Sequence, residues 1–336
     1  MIAVISCGER EDMLDFATSG DGAAGKNIYI FATYPSGAPY DVYLVVADDK
    51  EQISESLVGL NIPNAFGNFH ISEDGTAFVC FTVTAYINIP PYGLPWIVSS
   101  PPVAPTGAFF ASNYIIQGAI ANAPLYQYQG GWVSAGSFSN SINIMAVDYS
   151  SEEKAIYMVD SSGNLQRYNT EDMTFESVYL PVYTPAMAPS IIYLHRGRKH
   201  MYVGTTNRIY FCKNPTFDSF EQYTVLGSDM SVLSPVQNAS SYCVPSDEGM
   251  IFASTTDAAN AMHLHVRNGG SWLELLLFPG NPGDSMKLFD LGEGKLALWV
   301  DSASALGGVY VFDYTNYELN RISINPLFTI QAMVVK

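Results

Sequence analysis

Between Ser141 and Leu226 the chain runs through one pattern twice. Residues 142–148, 155–160, 165–169 and 175–180 are short runs of β-branched and aromatic residues. Residues 190–194, 201–205, 208–212 and 220–226 repeat them. Gly, Asn, Asp, Ser or Pro bounds each run, as expected of strands joined by tight turns. A unit of about 45 residues with four strands cannot bury its apolar faces alone, so it must lean on similar units.

The pattern extends beyond this stretch. Residues 238–278 and 285–324 each hold four further runs. Two echoes tie the units together. Tyr128-Gln-Gly-Gly-Trp132 resembles Arg267-Asn-Gly-Gly-Ser-Trp272, both at the turn into an outer strand. Val159-Asp-Ser-Ser162 resembles Val300-Asp-Ser-Ala303, both at the exit of a second strand. The first sixty residues supply strands at 2–6, 27–34, 42–47 and 54–60. Residues 66–138 make a longer unit whose middle, Tyr86 to Ala123, is rich in proline and aromatics. Proline removes ladder donors, so that segment is read as a projecting insertion or a degenerate sheet. Residues 328–335 supply a last strand that joins the first unit and closes the array.

As an architecture, 1–336 resembles the β-propeller superfamily over nearly its whole length. The fold expected is all-β, a single domain of four-stranded antiparallel blades closed by the C-terminal strand. Six blades are preferred, with seven as the alternative because 86–123 is ambiguous. A pair of β-sandwiches is the competing arrangement. The Gly-His and Trp-Asp markers of WD repeats are missing. Ser72-Glu-Asp-Gly-Thr-Ala-Phe78 looks like the Asp-box turn of sialidase-type propellers but is one residue short, and such boxes are turns that transfer no catalytic role.

Composition narrows the function classes. Charged residues make up 14% of the chain, against roughly 25% in soluble domains. Polar uncharged residues and tyrosine therefore cover the surface, which suits packing against protein neighbours or carbohydrate. The formal charge of −17 repels phosphate backbones and anionic headgroups, so neither nucleic acid nor a membrane surface is an expected partner. The cysteines Cys7, Cys80, Cys212 and Cys243 lack paired metal spacing, and Cys80 and Cys212 read as buried thiols. The N-terminus lacks a signal peptide's basic and apolar regions, and no run approaches a membrane span. Synthesis in a cytoplasm is expected, with a virion as one destination.

Few motifs carry chemistry. Gly20 to Asn27 matches most of a phosphate loop, but Asn27 replaces the magnesium-binding hydroxyl and a strand follows instead of a helix. Asp148, Asp160, Asp290 and Asp301 are the conceivable acid–base carboxylates, although Asp at strand ends is ordinary turn chemistry. His263 and His265 alternate on one strand and share a face, but no third metal ligand can be named. No catalytic residue, metal or cofactor is assigned. Two features read as contact surfaces. One is the aromatic set Tyr86, Tyr92, Trp96, Phe109, Phe110 and Tyr114, unless it packs internally over the blade edges. The other is the basic hairpin with Arg196, Arg198 and Lys199, unless it is only a solvated turn. The expected function is a non-enzymatic binding or structural module in a protein assembly, such as a phage tail or capsid-associated virion protein. Its partners are proteins, copies of this chain included. A glycan-active enzyme and a soluble adaptor scaffold are the alternatives.

Overall fold

The computed structural model describes residues 3–4, 26–35, 39–63, 66–105, 107–118, 120–139, 141, 143–161, 165–178, 191–197, 200–206, 209–213, 224–225, 238–245, 250–268 and 271–336. Every regular element among them is a strand, and none of them forms a helix long and apolar enough to cross a membrane.

Among the described residues the strands form seven antiparallel sheets in chain order. The first pairs Thr329–Val335 with Ile28–Tyr34, Tyr40–Ala47 and Gln52–Ile62. The second is Phe66–Ile71, Ala77–Phe81, Ala85–Asn88 and Ile97–Ser99. The third is Ala108–Ala111, Tyr114–Gln117, Pro124–Tyr128 and Trp132–Ser137. The fourth is Ile144–Ser150, Ala155–Asp160, Leu165–Asn169 and Phe175–Val178. The fifth is Ile191–Arg196, His200–Thr205, Ile209–Lys213 and Thr224–Val225. The sixth is Asn238–Cys243, Ile251–Thr256, Met262–Asn268 and Ser271–Phe278. The seventh is Ser285–Gly292, Lys295–Asp301, Gly308–Asp313 and Glu318–Arg321.

Seven sheets are one more than the preferred count. The sequence pattern joins residues 66–138 in one unit, whereas the chain divides them between the second and third sheets. The prolines of 86–123 that precede the third sheet fall between strands, where no ladder donor is lost. A second difference concerns the N-terminus. Ala3–Val4 pairs with Leu277 and Leu276 on the outer edge of the sixth sheet. Its expected place in the first sheet belongs to Thr329–Val335, which pairs with Ile28–Thr33.

Among the described residues the core is not a single cluster. Apolar side chains gather instead at seven seams, one between each pair of adjacent sheets. Phe31 and Leu44 meet Phe69, Val79 and Phe81 between the first and second. Phe78 and Ile87 meet Phe110 and Trp132 between the second and third. Comparable clusters fill the third–fourth, fourth–fifth, fifth–sixth and sixth–seventh seams. Ile30, Val45 and Met333 pack on Trp299 and Val311 to complete the circle between the seventh and first. The second strand of a sheet lies between two seams, so both its faces are buried. Ala77–Phe81 and Ala155–Asp160 are buried at every position, which explains their continuous rather than alternating apolarity. Where a seam is tightest, glycine is needed. A Cβ on Gly204 would lie 2.5 Å from the Tyr242 ring of the next sheet.

Antiparallel pairing puts first-to-second and third-to-fourth turns at one end of every sheet. Cross-sheet ion pairs gather at that end. Lys26–Asp290 and Lys295–Asp49, each 2.5 Å, bridge the seventh and first sheets. Lys336–Glu73 at 2.5 Å bridges the first and second. Arg196 holds Glu153 through Nη2 at 2.7 Å and Nε at 3.2 Å, across the fourth–fifth seam. A part-exposed pair is worth about 0–1 kcal/mol, and one fully buried Leu or Phe about 1.5–3 kcal/mol. Apolar seams therefore hold the ring, and the ion pairs fix how neighbouring sheets meet.

Two measurements test this division. The Arg196 side chain is only 7% exposed, so Glu153→Gln leaves a buried guanidinium poorly matched. Its expected cost is about 1–3 kcal/mol, read from the denaturant midpoint. His70 of the second sheet stacks on Phe110 of the third, centroids 5.4 Å apart, and its Nε2 is buried without a partner among the described residues. Burial, with the nearby charge of Lys336, lowers its pKa to about 3. The unfolded chain takes up this proton below about pH 6.5, and the folded chain does so only near pH 3. Stability from neutral His70 is thus complete above pH 6.5 and declines as pH falls. Between pH 6.5 and 5 the loss should be about 1–2 kcal/mol, and His70→Phe should remove that part of the slope.

Candidate functional site

The segment around the second sheet's outer edge is where the sequence places a contact surface. Its aromatics turn inward. Tyr92 and Trp96 are each 6% exposed and stack with centroids 6.4 Å apart. The Tyr92 hydroxyl donates to the Gly75 carbonyl at 2.7 Å, anchoring the loop on the turn before Ala77–Phe81. Tyr114 meets Tyr168 edge-on in the third–fourth seam. Burial pushes the pKa of both Tyr92 and Tyr114 upward. Phe110 packs on both His70 and Phe78. Tyr86 is half-buried edge-on to Phe81, and Phe109 is half-buried against the third–fourth cluster.

Four aliphatic neighbours reach solvent instead: Ile89, Leu94, Ile97 and Val98, between 58% and 66% exposed. Ile97 and Val98 are consecutive in a strand and so face opposite sides, yet both are open. They are open although all three residues of Ile97–Ser99 pair with Ala85–Ile87 of the preceding strand. These four are not among the aromatic residues that the sequence singles out. Their signal in the sequence is an Ile-Val pair between prolines, apolar on both faces of the sheet's last strand.

The basic hairpin is engaged within the chain. Arg196 binds Glu153 and donates through Nη1 to the Gly197 and His200 carbonyls, while its backbone N–H donates to Asp148 Oδ2 at 2.7 Å. His195 Nδ1 lies 3.3 Å from the same carboxylate. Arg198 and Lys199 lie outside the described residues.

The four candidate carboxylates are not brought together. Asp148 and Asp290 stand at the ion-paired end, on the fourth and seventh sheets, and engage His195 and Lys26 respectively. Asp160 and Asp301 end second strands, at the opposite end of the sheets. Lys26, placed where a phosphate loop would carry its lysine, leads into strand Ile28–Tyr34 and serves Asp290. At the opposite end a half-open cleft of about 510 Å³ lies beside the ring closure, lined by Gly308, Arg321, Ile322, Asn325, Phe328 and Ile330 among others. No carboxylate is among its lining residues. Arg321 is occupied there by the Ala305 and Gly307 carbonyls.

His263 and His265 do share a face, their rings parallel within 12° and 5.8 Å apart. That face looks toward the fifth sheet, since the alternating Met262, Leu264 and Val266 fill the sixth–seventh seam. Glu274, opposite His265 on the next strand, is the neighbour that the sequence reading could not name.

Solved structures share this architecture. A putative 6-phosphogluconolactonase from Bacteroides uniformis matches with a TM-score of 0.60 at 13% identity, over 94% of this chain and 100% of that one. Another from Bacteroides fragilis gives 0.59 at 10% identity, over 93% and 98%. AztD from Citrobacter koseri gives 0.55 at 13% identity, over 93% and 98%. No protein-family model and no curated protein matches the chain. At such identities the likeness concerns the fold alone. With seven antiparallel sheets around closed seams, that fold is a β-propeller.

Proposed function

We propose that the chain is a non-enzymatic propeller serving as a binding module in a larger protein assembly. It docks through the outer edge of its second sheet. The observation that supports this reading is the exposed set Ile89, Leu94, Ile97 and Val98 beside a strand edge that pairs with no further strand among the described residues. Unpaired N–H and C=O groups next to apolar side chains form a template for strand addition. The chain does this within itself, where Ala3–Val4 adds a fifth strand to the sixth sheet.

A second copy of the chain is the occupant that fits such an edge, because two identical antiparallel edges pair around a two-fold axis. Only three residues offer ladder bonds, so the aliphatic side chains carry most of the contact. A virion is the specific assembly we infer from composition: few charges and a polar, uncharged surface suit a subunit packed among others.

Light scattering on size-exclusion fractions over rising concentration tests the docking edge. The expected result is self-association that Ile97→Lys with Val98→Lys abolishes while the unfolding midpoint stays within about 0.5 kcal/mol, as for exposed positions. A wild-type chain that stays monomeric throughout sinks the pairing of copies.

A further inference from the structure

The geometry points to a binding site for a divalent transition-metal ion on the sixth sheet, with His263, His265 and Glu274 as ligands. One ring nitrogen of each histidine and one Glu274 oxygen lie within 4.8 Å of one another. Tetrahedral ligand atoms on an ion with bonds of about 2.0–2.1 Å stand about 3.3 Å apart. Rotamer adjustment within one sheet face spans the difference.

The hydrogen bonding leaves room for an ion, above all at the unmatched ring nitrogen of His265. His263 Nδ1 lies 2.7 Å from Glu274 Oε2, and its Nε2 lies 3.2 Å from Asp257 Oδ2. A neutral imidazole carries one N–H and serves one carboxylate, whereas an imidazolium donates to both. An ion bound at Nδ1 takes the place of that second proton. It takes the Nδ1 lone pair and the Glu274 oxygen, and Nε2–H is left to donate to Asp257. His265 shows the complementary deficiency. Its Nε2 is 2.8 Å from the Thr255 hydroxyl, while its Nδ1 is buried without a partner among the described residues. The residue is 1% exposed, and a buried polar atom left unmatched costs about 1–3 kcal/mol.

The resulting set has the form of a metal centre. Each imidazole coordinates through one nitrogen and is oriented through the other, His263 by Asp257 and His265 by Thr255. Two nitrogens and one carboxylate select zinc-like ions over magnesium or calcium, which take oxygen ligands. Three protein ligands leave one tetrahedral position for water or an exogenous donor.

The test is titration of the chelator-treated full chain with Zn(II), and with Co(II) as a visible reporter. Expected are one ion per chain, a tetrahedral Co(II) band, a midpoint that rises with Zn(II), and no competition from Mg(II). Glu274→Gln and His265→Gln should each weaken binding at least about 100-fold. Asp257→Asn keeps an oxygen for the turn at Ala259 and Ala261, and should weaken binding about 10- to 100-fold. Should His265→Gln fail to fold, the two part-exposed carboxylate variants decide. Absence of saturable Zn(II) binding overturns the site, as does unchanged affinity in both Glu274→Gln and Asp257→Asn.

Discussion

Everything in this molecule depends on the pairing of Thr329–Val335 with Ile28–Thr33. That ladder makes the last strand of the chain the innermost strand of the first sheet. Without it, the seventh seam lacks Met333 and its partners Ile330 and Val335. The array would then end in two uncovered sheets. Apolar burial scales with area, and each sheet here is stabilised only by its two neighbours. An open array leaves its two terminal sheets half-supported, whereas closure gives all seven the same environment. The contact is also non-local, joining residues some three hundred positions apart, so its entropy cost is met only once the intervening sheets have stacked.

Closure also explains how charge is distributed. Fifteen basic residues face thirty-two acidic ones. Among the described residues Lys26, Lys295 and Lys336 are engaged at the closing sheets, and Arg196 at the fourth–fifth seam. Three of these four pairs surround the strand that completes the ring. Their individual contributions are small, but they sit where adjacent sheets have no covalent continuity in register. The net charge of −17 raises the local concentration of cations around the chain.

Much of the fold was legible in the sequence, for identifiable reasons. Strands flanked by two seams become unbroken apolar runs, and Ala155–Asp160 and Lys295–Asp301 read as such at once. The two echoes mark equivalent places: Tyr128–Trp132 and Arg267–Trp272 both join third to fourth strands, and Asp160 and Asp301 both end second strands. The sheet count was harder, because prolines between Asn88 and Ala108 obscure where one four-strand unit stops and the next begins. The position of Ala3–Val4 could not be read at all. A two-residue strand carries no periodicity, and its partner lies over two hundred and seventy residues away.

The sites were less legible than the fold, because burial reverses the weight of residue types. Tyr92, Trp96 and Tyr114 have the composition of an interface, yet in a propeller the largest side chains are what the seams need. The surface receives what remains, here Ile97 and Val98. The histidine pair shows the opposite case. Counting outward from Asn268 and Ser271, which face each other across the turn, sets Glu274 opposite His265, so the third member was written in the hairpin's register. A lone carboxylate within Ser271–Phe278 would otherwise oppose the burial of that strand. Its retention there follows if His263 and His265 supply the partner it needs, and a shared cation would satisfy all three at once. Both inferred sites accordingly lie on the outer halves of single sheets. There a ring held together at its seams can vary side chains without disturbing closure.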